Sequence, residues 1–228
     1  MTDIRRRRWY HRRGLAPVVG AALSWFPTAA PTEAPAGAAV PAPPLDTPAV
    51  LRRLHDYLRV QVRSGVYELA ALRQFSLDAA SSETPDPRVA DELAREVLSA
   101  EFHAWVADAA RWSARTDCDR LDAALAQVRS TGALVLPGLV DDQALAVSLR
   151  IHGAESGCVA YFVTDIWRAI DTTSLHLTVL DGAGVAAPRT HPVLSAVVDA
   201  IGEQGLLAST LRTGGVDVAM TWRRRPRS

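Results

Sequence analysis

Residues 116–138 read TDCDRLDAALAQVRSTGALVLPG, and this stretch decides the fold because a helix in it is followed directly by a strand. Thr116 and Asp119 have the spacing of a capping box, in which each side chain accepts a hydrogen bond from the backbone N–H of the other residue. A helix therefore begins here, and its apolar residues recur at helical spacing, at Leu121, Leu125 and Val128. Gly132 ends the helix, since glycine readily adopts the backbone conformation of a C-terminal cap.

Residues 133–136 form a short, continuous apolar run that is typical of a buried strand. We expect this strand to end at Pro137 and Gly138, because proline and glycine are frequent in turns. A further helix then begins at Asp141 or Asp142.

The C-terminal part of the sequence predicts two more strands, one more helix and a hairpin. The strands are residues 158–163 and 174–180, and between them Thr164 caps one helical turn that runs through Trp167 and Ile170. The helix covers residues 193–201. Thr213-Gly214-Gly215 separates residues 206–211 from residues 216–222, which is the pattern of a hairpin.

Upstream of residue 116 the pattern predicts helices alone. Thr47 is a candidate N-cap before Pro48, and apolar residues recur at helical spacing until Gly65. A short helical or irregular piece follows at residues 66–77, and then a polar loop at residues 81–87. In the longer helix after this loop we expect one apolar face, at Leu93, Val97, Ala100, Ala104 and Ala107, widened by Phe102, Trp105 and Val106.

Helices that are followed by mixed strands and helices predict an α+β fold. We expect a four- or five-stranded mixed sheet with packed helices and a C-terminal hairpin. A single domain would cover residues 47–228, with a helical part at residues 47–131 and a sheet part at residues 132–222. The chain has 228 residues, of which 48% are hydrophobic, and this is enough to form such a core.

Residues 1–46 differ in composition, because an arginine-rich start precedes a charge-free stretch and a Pro/Ala-rich run. Three interpretations stay open. The composition favours a disordered extension, as would also follow from a start codon assigned too early. The order of a basic and an apolar region also imitates an export signal, although Pro17, Pro27 and Pro31 interrupt helix there. The third interpretation is a membrane anchor or an anion-binding arm.

The composition excludes several chemistries. All 25 basic residues are arginines, and the sequence contains neither lysine nor asparagine. No Schiff-base lysine, P-loop lysine or Cys-His-Asn triad is therefore available. The 25 acidic residues balance the arginines, so we predict no specific nucleic-acid partner. We also predict no stable membrane span, and the sequence leaves the oligomeric state open.

Several motifs resemble an uncharacterised bacterial domain family, over about residues 51–225. They are residues 91–102, Trp112, residues 116–124 (TDCDRLDAA), Gly157-Cys158, Tyr161-Phe162, Asp165 with Arg168-Ala169, residues 175–177 and residues 222–225 (WRRR). The resemblance implies an α+β fold in the cytoplasm, but no established activity, substrate or cofactor. Its members carry a cysteine cluster soon after the first strand, where this chain reads LPGLVDD at residues 136–142. A metal or redox role in such relatives therefore does not transfer.

Asp117, Asp119 and Asp122 form an acidic group at the predicted helix start. Asp119 and Asp122 share one helix face, where two carboxylates can bind a divalent cation or assist a proton transfer. Acids at a helix start are, however, also favoured by the helix dipole and by the cap, and we favour this structural interpretation. Asp119 and Arg120 can also pair with a neighbouring element.

The two cysteines, Cys118 and Cys158, are too few for a disulfide scaffold, which favours reduced thiols in a cytoplasmic protein. Export through an N-terminal signal is the alternative. Cys118 lies at a helix start, where the dipole would stabilise a thiolate, but free cysteines are usually buried as small hydrophobic residues. His152 and Glu155 have the spacing of half a metal site, whereas His103 and His176 lie on separate elements. We therefore predict no metal site and no cofactor.

Asp165, Trp167 and Arg168 lie close together in the sequence and follow Tyr161-Phe162. Aromatic and arginine side chains dominate protein-binding sites, so this group can line a groove for a protein partner. The aromatic residues are equally consistent with an ordinary core, and we favour that interpretation for Trp167.

The sequence therefore favours a non-catalytic protein-binding or regulatory module. Its candidate binding residues are Asp117, Asp119, Arg120, Asp165, Trp167 and Arg168. The alternative is a hydrolase-like enzyme whose site is assembled around Asp117, Asp119 and a histidine, so the sequence does not decide whether the protein is an enzyme.

Overall fold

The computed structural model describes residues 47–112 and 114–226. Residues 1–46, for which the sequence left three interpretations, lie outside the described residues. The described part is α+β, as predicted, because three helices come first and a five-stranded mixed sheet with packed helices follows. No helix in this part is both long enough and apolar enough to cross a membrane.

The three N-terminal helices are α1 (Thr47–Ser64), α2 (Leu69–Ser81) and α3 (Pro87–Ala110). The piece for which helical and irregular structure were both open is helix α2. Helix α3 begins at Asp86, whose carboxylate accepts the Arg88 N–H at 2.9 Å. The three helices share a small core of their own, formed by Val50, Leu54, Leu58, Ala79, Ala80, Ala90, Leu93, Ala94 and Val97.

The predicted apolar face of α3 is confirmed in its first half, but in its second half only Trp105 is buried as predicted. Leu93 and Val97 are buried, whereas four residues predicted to continue or widen that face are exposed: Ala100, Ala104, Val106 and Ala107. Leu98 and Ala109, which were not predicted on this face, are buried together with Trp105. Burial of the large Leu98 and Trp105 side chains removes more apolar surface from water than burial of alanines, so these two residues decide how the helix is oriented.

Helix α4 (Asp117–Ser130) begins with the predicted capping box, and strand β1 (Leu134–Leu139) follows it. The prediction that this strand ends at Pro137 and Gly138 is wrong. Strand β1 lies at the edge of the sheet, where a proline without an N–H is tolerated. The register shifts at this point, and pairing resumes between Leu139 and Phe162.

The remaining elements are α5 (Asp142–His152), β2 (Cys158–Phe162), α6 (Val163–Thr172), β3 (Ser174–Leu180), α7 (Pro192–Glu203), β4 (Leu207–Thr210) and β5 (Gly215–Ala219). The strand order is β1-β2-β3-β5-β4. Strands β1 and β2 are parallel and the other neighbours are antiparallel, with β4 and β5 forming the predicted hairpin. The N-cap of α5 is Asp141, one of the two predicted residues.

Helix α6 is longer than the single turn that the sequence predicted, and it begins directly after β2. Thr164 is not its cap. The carboxylate of Asp165 accepts the Phe162 N–H at 3.0 Å instead. An acid at the third helical position can return a bond to the residue before the helix, so the chain passes from strand to helix without a hydroxyl cap.

The two faces of the sheet differ in what covers them. The first face carries the main core, in which alternate strand residues pack against α4, α6 and α7; these strand residues include Val159, Tyr161, Leu175, Leu177, Val179, Val216 and Val218. On the second face, Cys158, Ala160 and Leu180 pack against apolar residues of α5. Further along that second face, His176 and Asp217 are only half-buried.

Gly65 ends α1 with a φ of 65°, and a Cβ atom added there would lie 2.4 Å from Cγ of Arg224. Gly65→Ala therefore combines left-handed strain of about 1–2 kcal/mol with a displacement of Arg224. Gly205→Ala is the matched control, because Gly205 also follows a helix end, has a φ of 74° and has nothing within 4 Å of the added atom. We expect Gly65→Ala to lower the free energy of unfolding more than the control in urea denaturation. Equal losses would contradict close packing of Arg224 on Gly65.

Candidate functional site

Residues 220–225, which we call the C-terminal strap, follow the last strand and contact both the helical part and the sheet part. The Met220 N–H donates to the Thr173 carbonyl at 2.9 Å. The indole N–H of Trp222 donates to the Ser64 carbonyl at 3.3 Å, and the indole N–H of Trp105 donates to the Arg224 carbonyl at 2.9 Å. The strap therefore joins the ends of α1 and α3 to the sheet.

The acidic group at the start of α4 is bound by the cap and by the strap. Asp117 accepts the Thr221 N–H at 2.9 Å and lies 3.7 Å from Arg120. Asp122 accepts hydrogen bonds from both terminal nitrogens of Arg224. The strap therefore satisfies carboxylates that the sequence offered as candidate ligands.

Asp119 accepts the Thr116 N–H at 2.7 Å and the Thr116 hydroxyl at 2.9 Å. Burial opposes ionisation of this carboxyl, but the two Thr116 donors together with Arg225 and Arg224 more than offset it, and the pKa of Asp119 lies below its usual value. Asp119 interacts with its own cap and with the strap arginines, and none of these interactions brings a histidine to it within the described residues. Catalytic or binding roles for Asp117, Asp119 and Arg120 stay predictions.

Both cysteines are free and buried, as expected for small apolar residues. The expectation that the helix start stabilises a Cys118 thiolate is wrong, because burial raises the pKa of this thiol to about 12. Burial also raises the pKa of Cys158 to about 11. Among the described residues, no three His, Cys, Asp or Glu side chains are grouped so that they could hold a metal ion.

A cleft of about 480 Å³, which we call the junction cleft, lies where the strap meets the ends of α1, α3 and α6. Its lining residues are Arg63, Trp105, Asp108, Arg111, Trp112, Ile170, Thr221, Trp222 and Arg223. Sequence reasoning missed this site, because its side chains come from four separate segments. Its volume falls in the range of small-molecule sites.

The junction cleft carries three arginines and one acid. The Asp108 carboxylate accepts hydrogen bonds from Arg111 and from Arg63, the latter at 2.6 Å, and these two arginines lower the pKa of Asp108. The Nε atom of Arg63 is buried and has no hydrogen-bond partner in the part of the chain that the structure describes. Arg223 is exposed. The cleft therefore has a net charge of plus two.

The predicted binding residues of α6 lie outside the junction cleft. Asp165 is 6% exposed, Trp167 is half-buried and Arg168 is exposed. On the neighbouring strands, Nδ1 of His176 lies 2.9 Å from Oδ1 of Asp217, which is directly opposite it across β3 and β5. The sequence offered His176 as an isolated candidate and missed Asp217, because the pairing of strands that are distant in sequence was not known.

The other histidines that the sequence offered as candidates, His103 and His152, lie away from this pair. His103 lies 3.3 Å from the Ser99 hydroxyl within α3. His152 and Glu155, the predicted half of a metal site, are both exposed. None of these residues adds a third ligand to a site within the described residues.

A second concave surface lies between α2 and α3, and we call it the α2–α3 groove. Its volume is about 570 Å³. Its apolar lining residues, which we call the floor, include Leu69, Leu77, Leu98 and Phe102. Its charged or polar lining residues, which we call the rim, include Arg73, Asp91, Arg95 and His103.

Comparison with protein families identifies the family of this chain. A family model described as "Domain of unknown function (DUF6891)" matches residues 47–226. The chain belongs to the DUF6891 family. Searches of curated proteins and of solved structures gave no match. In this DUF6891 domain, motifs that carried the family resemblance, Trp112, residues 116–124 and residues 222–225, meet at the strap and the junction cleft.

We predict that Asp122→Asn destabilises the domain, because it removes the charge that binds the largely buried Arg224 side chain. The expected loss is about 1–2 kcal/mol in the free energy of unfolding. Asp91→Asn is the matched control, since Asp91 pairs with Arg95 on an exposed helix surface and should cost less than about 0.5 kcal/mol. Urea denaturation of both variants makes the comparison. A loss no larger than that of the control would show that the strap does not depend on this ion pair.

We expect the buried carboxyl of Asp165 to make the stability of the domain depend on pH. Burial raises its pKa, and the Phe162 N–H and the nearby His176 and Arg168 offset this only in part. Because the folded-state pKa is raised, its stabilising contribution is full below the unfolded pKa and is lost as the pH rises through the folded pKa.

We therefore expect Asp165→Asn, which keeps an acceptor for the Phe162 N–H, to raise the free energy of unfolding at pH 7, and to raise it less at about pH 4, where more of the wild-type carboxyl is protonated. Asp165→Ala is the control that loses the acceptor and should be less stable than Asp165→Asn by about 1 kcal/mol. An Asn variant that is less stable than wild type at pH 7 would contradict the raised pKa.

Proposed function

We propose that this domain is a protein-binding module, and that the α2–α3 groove takes an amphipathic helix of a partner protein. The observation that carries the proposal is the apolar floor of the groove, which remains in contact with solvent. We place this interaction in the cytoplasm as part of the proposal.

The floor supports the proposal through the side chains that it exposes. Leu69 is 47% exposed at the start of α2, and Phe102 is only partly buried on α3. Burial of a leucine or phenylalanine side chain contributes about 1.5–3 kcal/mol, so a partner that covers both would gain affinity from them. Ser76 donates to the Ala94 carbonyl at 2.6 Å and holds the two helices together, so the groove is formed before a partner arrives.

A partner helix suits the groove because the two walls of the groove are the packed helices α2 and α3. An amphipathic helix places apolar side chains at positions i, i+3, i+4 and i+7, which is the recurring mode of recognition in such grooves. The partner would thus complete a three-helix layer on this side of the domain.

The rim indicates that the partner helix is acidic. Arg95 binds Asp91 on the rim, whereas Arg73 makes no hydrogen bond or ion pair with the rest of the described chain. The rim therefore offers a positive charge to a partner. Complementary charge favours Asp or Glu on the flanks of the partner helix and increases the association rate.

A second surface, at Trp167 and Arg168, was a candidate partner site in the sequence, although a core role was favoured for Trp167. The exposure of Arg168 and the half-burial of Trp167 are compatible with that prediction. The hydrolase-like alternative gains no further support, because Asp117 and Asp119 are bound by the strap and the cap. The test below therefore distinguishes the groove from the α6 surface.

The test is selection of helix-forming peptides from a displayed random library against the full-length protein. We expect the selected peptides to carry apolar residues at helical spacing with flanking Asp or Glu. Leu69→Asp and Arg73→Glu should each weaken peptide binding by about tenfold or more. Leu207→Asp is the control, because Leu207 is 77% exposed on β4, outside the groove.

The same variants are then used to capture partners from the native host with the full-length protein. Peptides and captured partners that bind Leu69→Asp as well as they bind wild type would overturn the groove proposal. Loss of binding on Arg168→Ala, with full binding to Leu69→Asp, would assign the site to α6 instead.

A further inference from the structure

We propose that the junction cleft binds a small phosphate monoester that carries a planar ring. This inference goes beyond the docking of a partner helix and rests on other residues. It follows from the charge of the cleft, from a buried donor in it and from its aromatic walls.

The charge of the cleft matches a dianion. Arg63, Arg111 and Arg223 supply three positive charges, and Asp108 supplies one negative charge. Arg63 and Arg111 bind the two different oxygens of the Asp108 carboxylate, so both guanidinium groups lie beside that carboxylate. A phosphate monoester near neutral pH carries almost two negative charges, and its three terminal oxygens accept hydrogen bonds from several arginines at once.

Arg63 has a donor that its protein contacts leave unused. One terminal nitrogen binds Asp108 at 2.6 Å, but the buried Nε has no hydrogen-bond partner in the part of the chain that the structure describes. Buried donors are normally satisfied, because an unmade hydrogen bond destabilises the folded state. Arg63 is a lining residue of the cleft, and the proposal assigns an acceptor oxygen of the ligand to this N–H.

The walls of the cleft are aromatic. Trp105, Trp112 and Trp222 line it, and the N–H groups of Trp105 and Trp222 are already bound to the Arg224 and Ser64 carbonyls. Trp105 and Trp222 are only 4% and 7% exposed, so the half-buried Trp112 offers the ring surface that a ligand can reach. A planar ring on the phosphate would pack against an indole, which a small inorganic anion cannot do.

The arginines of the cleft are already oriented before an anion binds. The Asp108 carboxylate keeps Arg63 and Arg111 oriented when no anion is bound, so little side-chain entropy is lost on binding. A ligand phosphate would share these guanidinium groups with Asp108 and would add Arg223, which is exposed on the strap.

The experiment is calorimetric titration of the full-length protein with phenyl phosphate, inorganic phosphate and phenol. We expect phenyl phosphate to bind more tightly than inorganic phosphate by about fivefold, from ring packing, and phenol not to bind measurably. Arg223→Gln and Arg111→Gln should each weaken phenyl phosphate binding by about tenfold or more. Arg212→Gln, an exposed arginine of the β4–β5 turn, is the matched control.

Residues 5–13 contain six further arginines that can attract phosphate, so the experiment also needs a readout within the cleft. A readout within the cleft comes from the indole N–H signal of Trp112 in nuclear magnetic resonance spectra, assigned through Trp112→Phe. This signal should shift with phenyl phosphate in wild type and not in Arg223→Gln.

Three results would overturn the proposal. The first is no binding of phenyl phosphate by the full-length protein. The second is binding that Arg223→Gln and Arg111→Gln weaken no more than Arg212→Gln does. The third is equal affinity for inorganic phosphate and phenyl phosphate, which would show that the planar ring contributes nothing to binding.

Discussion

The structure depends on the contact that the C-terminal strap makes with the end of α1. Arg224 packs against Gly65, and Trp222 donates to the carbonyl of Ser64, the residue before it. Residues that are about 160 positions apart in the chain are thereby fixed side by side. The helical part has a small core of its own, so this contact, together with the Trp105 bond to the strap, determines how that part lies on the sheet.

The same contact brings charged side chains together where the helical part meets the sheet part. The strap must pass α4 to reach α1, and the acids Asp117 and Asp122 bind it on the way. Asp117 and Asp122 therefore serve as partners of the strap, which explains an acidic helix start without a metal ion. On the other side of the strap, Trp222 and Arg223 face a cleft whose charge is not balanced within the described residues. One segment thus joins the layers and completes the cleft.

The sequence predicted the features that depend on neighbouring residues and missed those that depend on distant ones. The capping box at Thr116, the strand at Ser174–Leu180 and the hairpin are local and were confirmed. In the second half of the α3 face the prediction was correct at Trp105 and wrong at the alanines around it, since packing buries Leu98 and Ala109 there. The opposition of His176 to Asp217 and the lining of the junction cleft require a strand register and a chain path that no local pattern contains.

Helix α3 contributes to both proposed binding surfaces, so they are physically connected. Leu98 and Phe102 line the α2–α3 groove, Trp105 and Trp112 line the junction cleft, and Phe102 contacts Trp105 edge-to-face at 5.8 Å between ring centroids. Coupling between two sites needs an element with two alternative arrangements that both ligands bias. Helix α3 is continuous, with an Asp86 cap at its start and a Trp105 bond to the strap near its end, and these contacts favour a single arrangement. The two surfaces should therefore bind independently, and by the reciprocity of linkage a ligand at either one should leave affinity at the other unchanged.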